Sequence, residues 1–156
     1  MKPRVKLVTP QDITIVVACA KLEETIFSDP WSLQSICTAV ASPCTRMYAA
    51  LSEKDKLMGY LFVTQVEDTA DIDNIAVSPG FRRQGIASLL LDTALDGMDA
   101  DAYLEVRASN TPAAALYRKY GFQEIGIRKD YYESPREDAV LMQRPRDVHR
   151  KGTESC

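Results

Sequence analysis

The segment Arg82-Arg83-Gln84-Gly85-Ile86-Ala87 combines two positive charges and a glycine directly ahead of a predicted helix. The first backbone N–H groups of a helix have no intrahelical acceptor, and the positive end of the helix dipole points to the same place. Such a segment suits a phosphate group, because Gly85 permits close approach of the backbone and the arginines add charge. A basic turn is also a common plain loop, and this one lacks the spacing of a P-loop or of GxGxxG. From the residues alone a plain loop is the more common interpretation, and a phosphate site is the functional alternative.

Glu105 is a candidate acid or base on a predicted strand. In the run 103–107 the apolar Leu104 and Val106 alternate with Glu105, so the carboxylate is expected on the face opposite to them. An ordinary structural role is equally open at this point, either as a solvated strand residue or as an ion-pair partner of Arg107.

Tyr117 and Asn110 belong to the next predicted helix. A tyrosine on an amphipathic helix normally fills the core, and an asparagine just ahead of a helix normally caps it. From the residues alone, packing and capping are therefore the leading interpretations of this pair.

Composition excludes several other chemistries. The chain has 156 residues, a net charge of −3 and one histidine, His149, which lies in a polar tail. The four cysteines show no CxxC pairing and are expected to be reduced thiols in or near a core: Cys19, Cys37, Cys44 and Cys156. A zinc site and a Cys-His or Ser-His nucleophile are disfavoured, and we expect no metal. The mild negative charge argues against a broad nucleic-acid surface and suits a positively charged substrate.

The length predicts one domain over residues 1–144, followed by a polar tail over 145–156. No apolar stretch approaches the roughly 20 residues that a membrane span needs, and no signal-type apolar region follows the N-terminus. We expect a cytoplasmic protein without a membrane partner, and the sequence leaves its oligomeric state open.

Four helices are predicted from capping residues and the 3.6-residue apolar period. Their expected ranges are about 9–25, 32–41, 87–98 and 111–120. The first is expected to begin with Thr9 as N-cap, Pro10 at the first helical position and Asp12 in the first turn. The third has the clearest amphipathic pattern.

Six strands are predicted from apolar and β-branched runs, at 47–51, 57–66, 72–77, 103–107, 122–127 and 139–142. The first two flank a charged turn and are expected to form an antiparallel hairpin. Ile72 and the pair Ile75 and Val77 differ in parity, which indicates a bulge or burial on both faces. The order ααββ(β)αβαββ predicts a mixed sheet with helices packed on it.

Two groups of motifs carry a resemblance to a known family. Ile75-Ala76-Val77 followed by 82–87 is similar to the Q/R-x-x-G-x-G/A motif of the GNAT superfamily of N-acetyltransferases. The block 104–110, followed by Ala115-Leu116-Tyr117 and Gly121-Phe122, resembles more specifically the RimI family of bacterial ribosomal-protein alanine N-acetyltransferases. Further similar segments at 29–32, 72–75 and 136–139 extend the resemblance over roughly 5–144.

The resemblance implies a fold and a cosubstrate. The GNAT fold is α+β, with a mostly antiparallel central sheet of about six or seven strands, a splayed parallel pair and about four helices. Acetyl-CoA is the implied cosubstrate. The residues implied in binding it are Ile75, Ala76, Val77, Arg83, Gln84, Gly85, Ile86, Ala87, Ser88 and Asn110.

The resemblance also assigns catalytic roles. It implies that Glu105 deprotonates the amine, directly or through water, and that Tyr117 returns a proton to the departing CoA thiolate. A phenol of pKa about 10 and a thiol of pKa about 8.5 make this transfer workable, and burial or neighbouring groups can narrow the gap between the two pKa values. The expected reaction is direct attack of the neutral amine on the thioester, without an acyl-enzyme.

The resemblance implies that the acceptor is the N-terminal alanine of the eighteenth small-subunit ribosomal protein. Trp31, Tyr131 and Tyr132 are expected to contact it. Two positions depart from the family pattern: Asp29 stands where relatives often carry an aromatic residue or histidine, and Ala87 replaces the more frequent second glycine. The alternatives are a lysine or small-amine acetyltransferase on the same fold, and a non-catalytic acyl-CoA-binding regulatory module.

Overall fold

The computed structural model describes residues 2–146, which form seven β-strands, four α-helices and a short 3-10 turn at Pro79–Phe81. The strands are β1 (Arg4–Leu7), β2 (Thr45–Leu51), β3 (Leu57–Val66), β4 (Thr69–Val77), β5 (Asp101–Arg107), β6 (Gln123–Glu133) and β7 (Arg136–Arg144). The helices are α1 (Ile13–Ile26), α2 (Leu33–Ala41), α3 (Ile86–Leu95) and α4 (Thr111–Lys119). The predicted tail over 145–156 lies outside the described residues, apart from Pro145 and Arg146.

The strands are hydrogen-bonded in the order β1-β2-β3-β4-β5-β7-β6. The pairs β1–β2, β2–β3, β5–β7 and β6–β7 are antiparallel, whereas β4–β5 is parallel over Thr69–Asp71 and Asp101–Tyr103. The predicted mixed α/β class, with a mostly antiparallel sheet and one parallel pair, is confirmed. Two compact units divide the described residues, one formed by 2–64 with 73–96, the other by 65–72 with 97–146. The assignment of 1–144 to one domain stays a prediction.

In the first unit, α1 and α2 pack against the hairpin of β2 and β3. Val16 and Cys19 of α1 and Ile36 of α2 are buried together with Tyr60 and Phe62 of β3. The helix residues recur at the spacing of one helical face, which explains why the periodic pattern predicted both helices. The other two described cysteines, Cys37 and Cys44, are exposed, so the expectation of buried thiols holds only for Cys19.

The beginnings of α1 and α2 differ in how well they were predicted. Thr9 is not an N-cap, because the Asp12 carboxylate accepts hydrogen bonds from the Thr9 backbone N–H at 2.8 Å and from its hydroxyl at 3.1 Å. This arrangement closes a turn over residues 9–12, and α1 begins only at Ile13. The Ser32 hydroxyl accepts from the Ser35 N–H at 3.0 Å and caps α2, as predicted.

Strand β1 was not predicted. It consists of four largely exposed residues, and its ladder with β2 pairs Arg4 with Leu51 and Leu7 with Tyr48. A short edge strand held by backbone hydrogen bonds leaves little apolar alternation in the sequence.

Strand β4 keeps the same buried face along its length, although its larger apolar residues change from even to odd positions after Ile72. Ala70, Ile72 and Ala76 are buried, whereas Ile75 and Val77 are half-buried on the opposite face. Of the two explanations offered by the sequence, partial burial on both faces therefore accounts for the pattern.

In the second unit, β5 alternates buried and solvent-facing residues as predicted and pairs with β7. Strand β6 is much longer than expected and mostly exposed. Its pairing with β7 places Arg128 opposite Ala139 and Tyr132 opposite Glu137, so two extra residues of β6 lie between these pairs. This bulge interrupts the strand pattern, and the sequence prediction consequently ended β6 at residue 127.

Candidate active site

The segment ahead of α3 has the backbone of an anion-binding turn. Arg83 and Gly85 both have positive φ, 65° and 78°, and Gly85 is the N-cap of α3. The Gly85 carbonyl accepts the Leu89 N–H at 3.0 Å, which leaves the earlier N–H groups at the open end of the helix. Left-handed residues in a turn orient successive N–H groups to one side, as in backbone concavities that bind phosphate.

Glycine at position 85 suits this left-handed backbone, in which an L side chain is strained. A Cβ built on Gly85 meets no heavy atom within 4 Å, so no protein group crowds the turn. The two arginines differ: the Arg82 Nε donates to the Val77 carbonyl at 3.2 Å, whereas Arg83 is exposed beside Gly85. Arg82 therefore supports the end of β4, and the binding of a CoA pyrophosphate at this turn stays a prediction.

Gly59 in β3 is a residue that sequence reasoning missed. A Cβ there would lie 2.7 Å from the Ala76 carbonyl oxygen, 3.2 Å from the Ile86 Cγ2 and 3.3 Å from the Val77 Cα. Only glycine lets β3 approach the end of β4 and the first residue of α3 at this distance. Gly59 thus helps to fix both segments predicted to bind the cofactor.

Glu105 occupies the predicted face of β5, but its ion-pair partner differs from the expectation. The Arg128 NH1 atom lies 3.3 Å from the Glu105 Oε2 atom. Arg107 instead pairs with Glu137, with 3.1 Å between its NH1 and Oε1. The interpretation of Arg107 as the ion-pair partner of Glu105 is therefore wrong, because the Arg107 guanidinium pairs with Glu137 on β7 instead.

The Arg107 contacts hold the turn between β6 and β7. Its NH1 donates to the Pro135 carbonyl at 2.9 Å, and its guanidinium lies 4.3 Å from the centroid of the Tyr132 ring. Glu137 also accepts the Ser109 N–H at 2.5 Å. The hydrogen bonds from Ser109 and the neighbouring Arg107 lower the pKa of Glu137, which therefore stays charged and keeps this turn attached to β5.

The predicted substrate residues Tyr131 and Tyr132 lie beside Glu105. Their rings meet edge-to-face with centroids 5.0 Å apart. Burial and then the Glu105 charge raise the pKa of Tyr132 to about 12. Burial also raises the pKa of Tyr131, as do the charge of Glu105 and a hydrogen bond to it. The bulge in β6 presents this tyrosine pair, and Asp138 fixes the bulge by accepting the Asp130 N–H at 2.8 Å.

Tyr117 is 7% exposed on α4 and packs edge-to-face on Phe122 with ring centroids 6.1 Å apart. Burial, followed by the nearby Tyr132, raises the pKa of Tyr117 to about 12. On the tyrosine side burial does not narrow the pKa gap to a thiol, because burial disfavours the phenolate and raises the pKa of Tyr117. Glu105 raises the pKa of Tyr131 and Tyr132, and Tyr132 raises the pKa of Tyr117. These four residues therefore form one cluster.

Asp71 is a further charged residue that sequence reasoning missed. It pairs in register with Tyr103 on β5, and the alternation of β5 puts Glu105 on the same face as Tyr103. Burial and the Glu105 charge raise the pKa of Asp71. Asp71 in β4 and Glu105 in β5 both alternate with apolar residues, so the sequence could have placed each on the polar face of its strand. The register of the parallel pair, which brings them together, cannot be predicted from either strand sequence.

The remaining predicted residues have structural contacts of their own. Trp31 packs on Phe62 with ring centroids 4.9 Å apart. Asn110 caps α4, with its Oδ1 accepting the Ala113 N–H at 3.3 Å. Capping thus accounts for Asn110 in the structure, and its contact with a cofactor stays a prediction. Among residues 2–146 no group of three or more His, Cys, Asp or Glu side chains could hold a metal ion.

A model of the acetyltransferase (GNAT) family matches residues 17–122 of this chain. The chain belongs to the GNAT family. This confirms the resemblance drawn from the motifs and identifies an acetyl-CoA-dependent N-acetyltransferase with acetyl-CoA as its cosubstrate. The contact of this cosubstrate with the turn at Gly85 and the α3 N-terminus stays a prediction.

Relatives of this GNAT enzyme share most of its length. The ribosomal protein bS18-alanine N-acetyltransferase of Escherichia coli (strain K12) is 34% identical over 140 residues, which cover 86% of this chain and 93% of that protein. The N-alpha-acetyltransferase RimI of Mycobacterium tuberculosis is 35% identical over 133 residues, covering 81% and 84% respectively. The crystal structure of the Escherichia coli ribosomal-protein-S18-alanine N-acetyltransferase matches with a TM-score of 0.83 at 30% identity and covers 92% of this chain and 94% of that chain.

Within residues 2–146, this GNAT enzyme has no helix that is long and apolar enough to cross a membrane.

Proposed function

We propose that this enzyme acetylates the α-amino group of an N-terminal alanine on a small-subunit ribosomal protein. Its similarity to the bS18-alanine N-acetyltransferase of Escherichia coli, over 86% of this chain and 93% of that protein, carries the proposal. The cluster of Glu105, Tyr117, Tyr131 and Tyr132 supports it, since it offers a carboxylate and phenols beside one another. A ribosomal acceptor implies a cytoplasmic location, which is part of the proposal.

Glu105 is the proposed base. An α-amino group of pKa about 8 is roughly one-tenth neutral at pH 7, whereas a lysine of pKa about 10.4 is neutral in fewer than roughly one molecule in a thousand. The difference corresponds to roughly 3 kcal/mol in the free energy of deprotonation, so the base removes the proton of an N-terminal amine much more easily than that of a lysine. The solvent-facing carboxylate of Glu105 can accept this proton directly or through one water molecule.

Tyr117 is the proposed acid for the CoA thiolate. Moving a proton from a phenol of pKa about 12 to a thiolate whose thiol has pKa about 8.5 is uphill by roughly 5 kcal/mol. The transfer is therefore expected to accompany departure of the thiolate in a desolvated setting, where the pKa of the thiol is raised as well. The amine attacks the thioester directly, the carbon–sulfur bond breaks, and the amine proton leaves through Glu105.

The proposed contacts of acetyl-CoA are the backbone of β4 over 75–77, the segment 83–88 and Asn110. The proposed contacts of the acceptor are Trp31, Tyr131 and Tyr132. Tyr131 is 42% exposed, and the exposed part of its ring is available to a peptide. Asp71 and Glu105 add negative charge where an N-terminal ammonium group would bind.

The variants Glu105→Gln and Tyr117→Phe test the acid–base roles. Each is expected to lower kcat by about 10² to 10⁴ while changing the Kd for acetyl-CoA by less than about twofold. Glu124→Gln, at an exposed position of β6, is the matched control and should retain wild-type kcat. Unchanged kcat in both test variants would remove the acid–base pair, even if the acceptor assignment survived.

A further inference from the structure

Glu23 is a buried carboxylate in α1 that the proposed chemistry does not use. Its side chain is 1% exposed. The Oε2 atom accepts a hydrogen bond from the Tyr60 hydroxyl at 2.5 Å and another from the Asn74 Nδ2 at 2.6 Å. The Oε1 atom accepts the Trp31 backbone N–H at 2.9 Å. Three neutral donors from three segments of the chain therefore converge on one carboxylate.

A charge in this position is costly for the fold. Burying a carboxylate sacrifices hydration, and an apolar side chain of similar volume would fill the same space without that penalty. Glu23 also affects two neighbouring groups. Burial and then the hydrogen bond to Glu23 raise the pKa of Tyr60, and burial followed by the electrostatic effect of Glu23 raises the pKa of Cys19. The arrangement therefore demands an explanation beyond core packing.

The contacts of Glu23 define both ends of the connection between α1 and α2. Its backbone carbonyl accepts the Phe27 N–H at 2.9 Å, and its carboxylate holds the Trp31 N–H. Ser28, Asp29 and Pro30 between these two anchors are exposed. The Glu23 side chain thus holds the Trp31 end of this connection, residues 27–32, whereas the backbone of α1 holds its Phe27 end.

The other two donors lie on strands that carry the site. Tyr60 is on β3 next but one to Phe62, whose ring packs on Trp31. Asn74 on β4 directly precedes Ile75–Val77, the stretch proposed to bind the cofactor. The Glu23 carboxylate therefore sets the connection 27–32, and with it Trp31, relative to β3 and β4.

We propose that Glu23 is a positioning residue for the acceptor, holding the connection 27–32 and Trp31 against β3 and β4. The proposal rests on the proposed function, in which Trp31 contacts the acceptor. Because the carboxylate is buried behind the connection and touches no reacting atom, its loss should weaken acceptor binding and leave the chemical step and acetyl-CoA binding in place.

Two substitutions at Glu23 separate the hydrogen bonds from the packing. Glu23→Met keeps the volume but offers no acceptor to the three donors. Glu23→Gln keeps one oxygen for the Trp31 N–H, and the Asn74 amide can turn its own oxygen toward the new NH₂ group. Glu24→Met, at the exposed neighbouring position of the same helix, is the matched control.

The first measurement is steady-state kinetics with acetyl-CoA and the best peptide acceptor of the wild type. Glu23→Met should raise the acceptor KM about tenfold or more, with kcat and the Kd for acetyl-CoA within about twofold of wild type. Glu23→Gln should raise the acceptor KM by about threefold only, and Glu24→Met not at all. A parallel fall of kcat, acetyl-CoA affinity and melting temperature in both Glu23 variants would overturn the proposal in favour of a merely structural role.

The second measurement is amide hydrogen exchange of residues 27–32, which needs no activity. Exchange should be faster in Glu23→Met, intermediate in Glu23→Gln and unchanged in Glu24→Met. If Glu23→Met does not fold, wild-type KM and wild-type exchange in Glu23→Gln would overturn the proposal. A wild-type enzyme that shows no preference for a free N-terminus would contradict the proposed function instead, and it would leave the exchange result standing.

Discussion

Arg128 on β6 and Glu105 on β5 form an ion pair, with 3.3 Å between NH1 and Oε2. The arginine side chain is 55% exposed and the glutamate side chain 32% exposed, so water and salt screen their attraction. The Arg128 guanidinium also lies 5.2 Å from the centroid of the Tyr131 ring. Arg128 therefore helps to orient the proposed base beside the tyrosines, and a cationic acceptor would compete with it for the carboxylate.

Replacing Arg128 should have a much smaller effect than replacing Glu105. An exposed ion pair contributes about 0.2–1 kcal/mol, so Arg128→Gln should lower kcat by no more than about fivefold. The difference from wild type should shrink further at high ionic strength, because screening already weakens the pair. Steady-state kinetics at low and high salt check this. A loss comparable to that of Glu105→Gln would mean that Arg128 itself takes part in the reaction.

Tyr117 should make the folded protein sensitive to alkali. Its pKa is about 12 in the folded protein and about 10 in an unfolded chain, so the folded state holds the phenolic proton more tightly. The resulting stability is fully present below about pH 10 and is lost as the pH rises toward about 12. Urea unfolding should show that the free energy of unfolding falls between about pH 8 and about pH 11 by roughly 1 kcal/mol more in wild type than in Tyr117→Phe. Parallel curves for the two proteins would contradict the raised pKa.

Gly59 should be intolerant of even one methyl group. A Cβ at this position would lie 2.7 Å from the Ala76 carbonyl oxygen, and a backbone atom can move only by shifting β4. Gly59→Ala should therefore lower the free energy of unfolding by about 1–3 kcal/mol and weaken acetyl-CoA binding, measured by calorimetry. Gly80→Ala is the control, because a Cβ there meets no atom within 4 Å. Wild-type acetyl-CoA affinity in a folded Gly59→Ala protein would rule out a role in positioning the cofactor segments.

Gly85 and Gly97 offer a matched pair of left-handed glycines. Both have positive φ, 78° and 71°, and a Cβ on either meets no atom within 4 Å. Alanine at each position should cost about 1–2 kcal/mol of stability, because the strain is the same. Only Gly85→Ala should also weaken acetyl-CoA binding, since only Gly85 begins α3 in the proposed pyrophosphate segment. Equal effects of the two variants on acetyl-CoA affinity would remove that segment from the site.

The sequence predicted those elements whose local pattern and tertiary role agree. Ser32 caps α2 as its residue type suggested, and Glu105 faces away from Leu104 and Val106 as the alternation required. The beginning of α1 was predicted too early, because either Thr9 or Asp12 could accept hydrogen bonds from backbone N–H groups near a helix start. Only the folded chain shows that the Asp12 carboxylate accepts from Thr9. Strand β1 was not predicted, because backbone hydrogen bonds to β2 hold it and its largely exposed side chains show no clear apolar alternation.

The contacts that complete the site depend on register and bulges, which no local pattern contains. The two extra residues of β6 place Arg128 opposite Ala139, from where it contacts Glu105 diagonally across β7, and Asp71 approaches Glu105 through a parallel pairing. Glu23 is different, since it continues the apolar stripe of Val16 and Cys19 at helical spacing. That spacing could have predicted its burial, although not the three donors that surround it.

The transfer of acetyl to an N-terminal amine is tested most directly by CoA release with two peptides that differ only at their first nitrogen. Both begin with alanine followed by basic residues and contain one lysine, and one carries a blocked N-terminus. We expect the free peptide to be acetylated at its α-amine and the blocked peptide to react at least about a hundredfold more slowly, in line with the difference in neutral amine. Equal rates with the two peptides would contradict the account and assign the acetyl group to lysine.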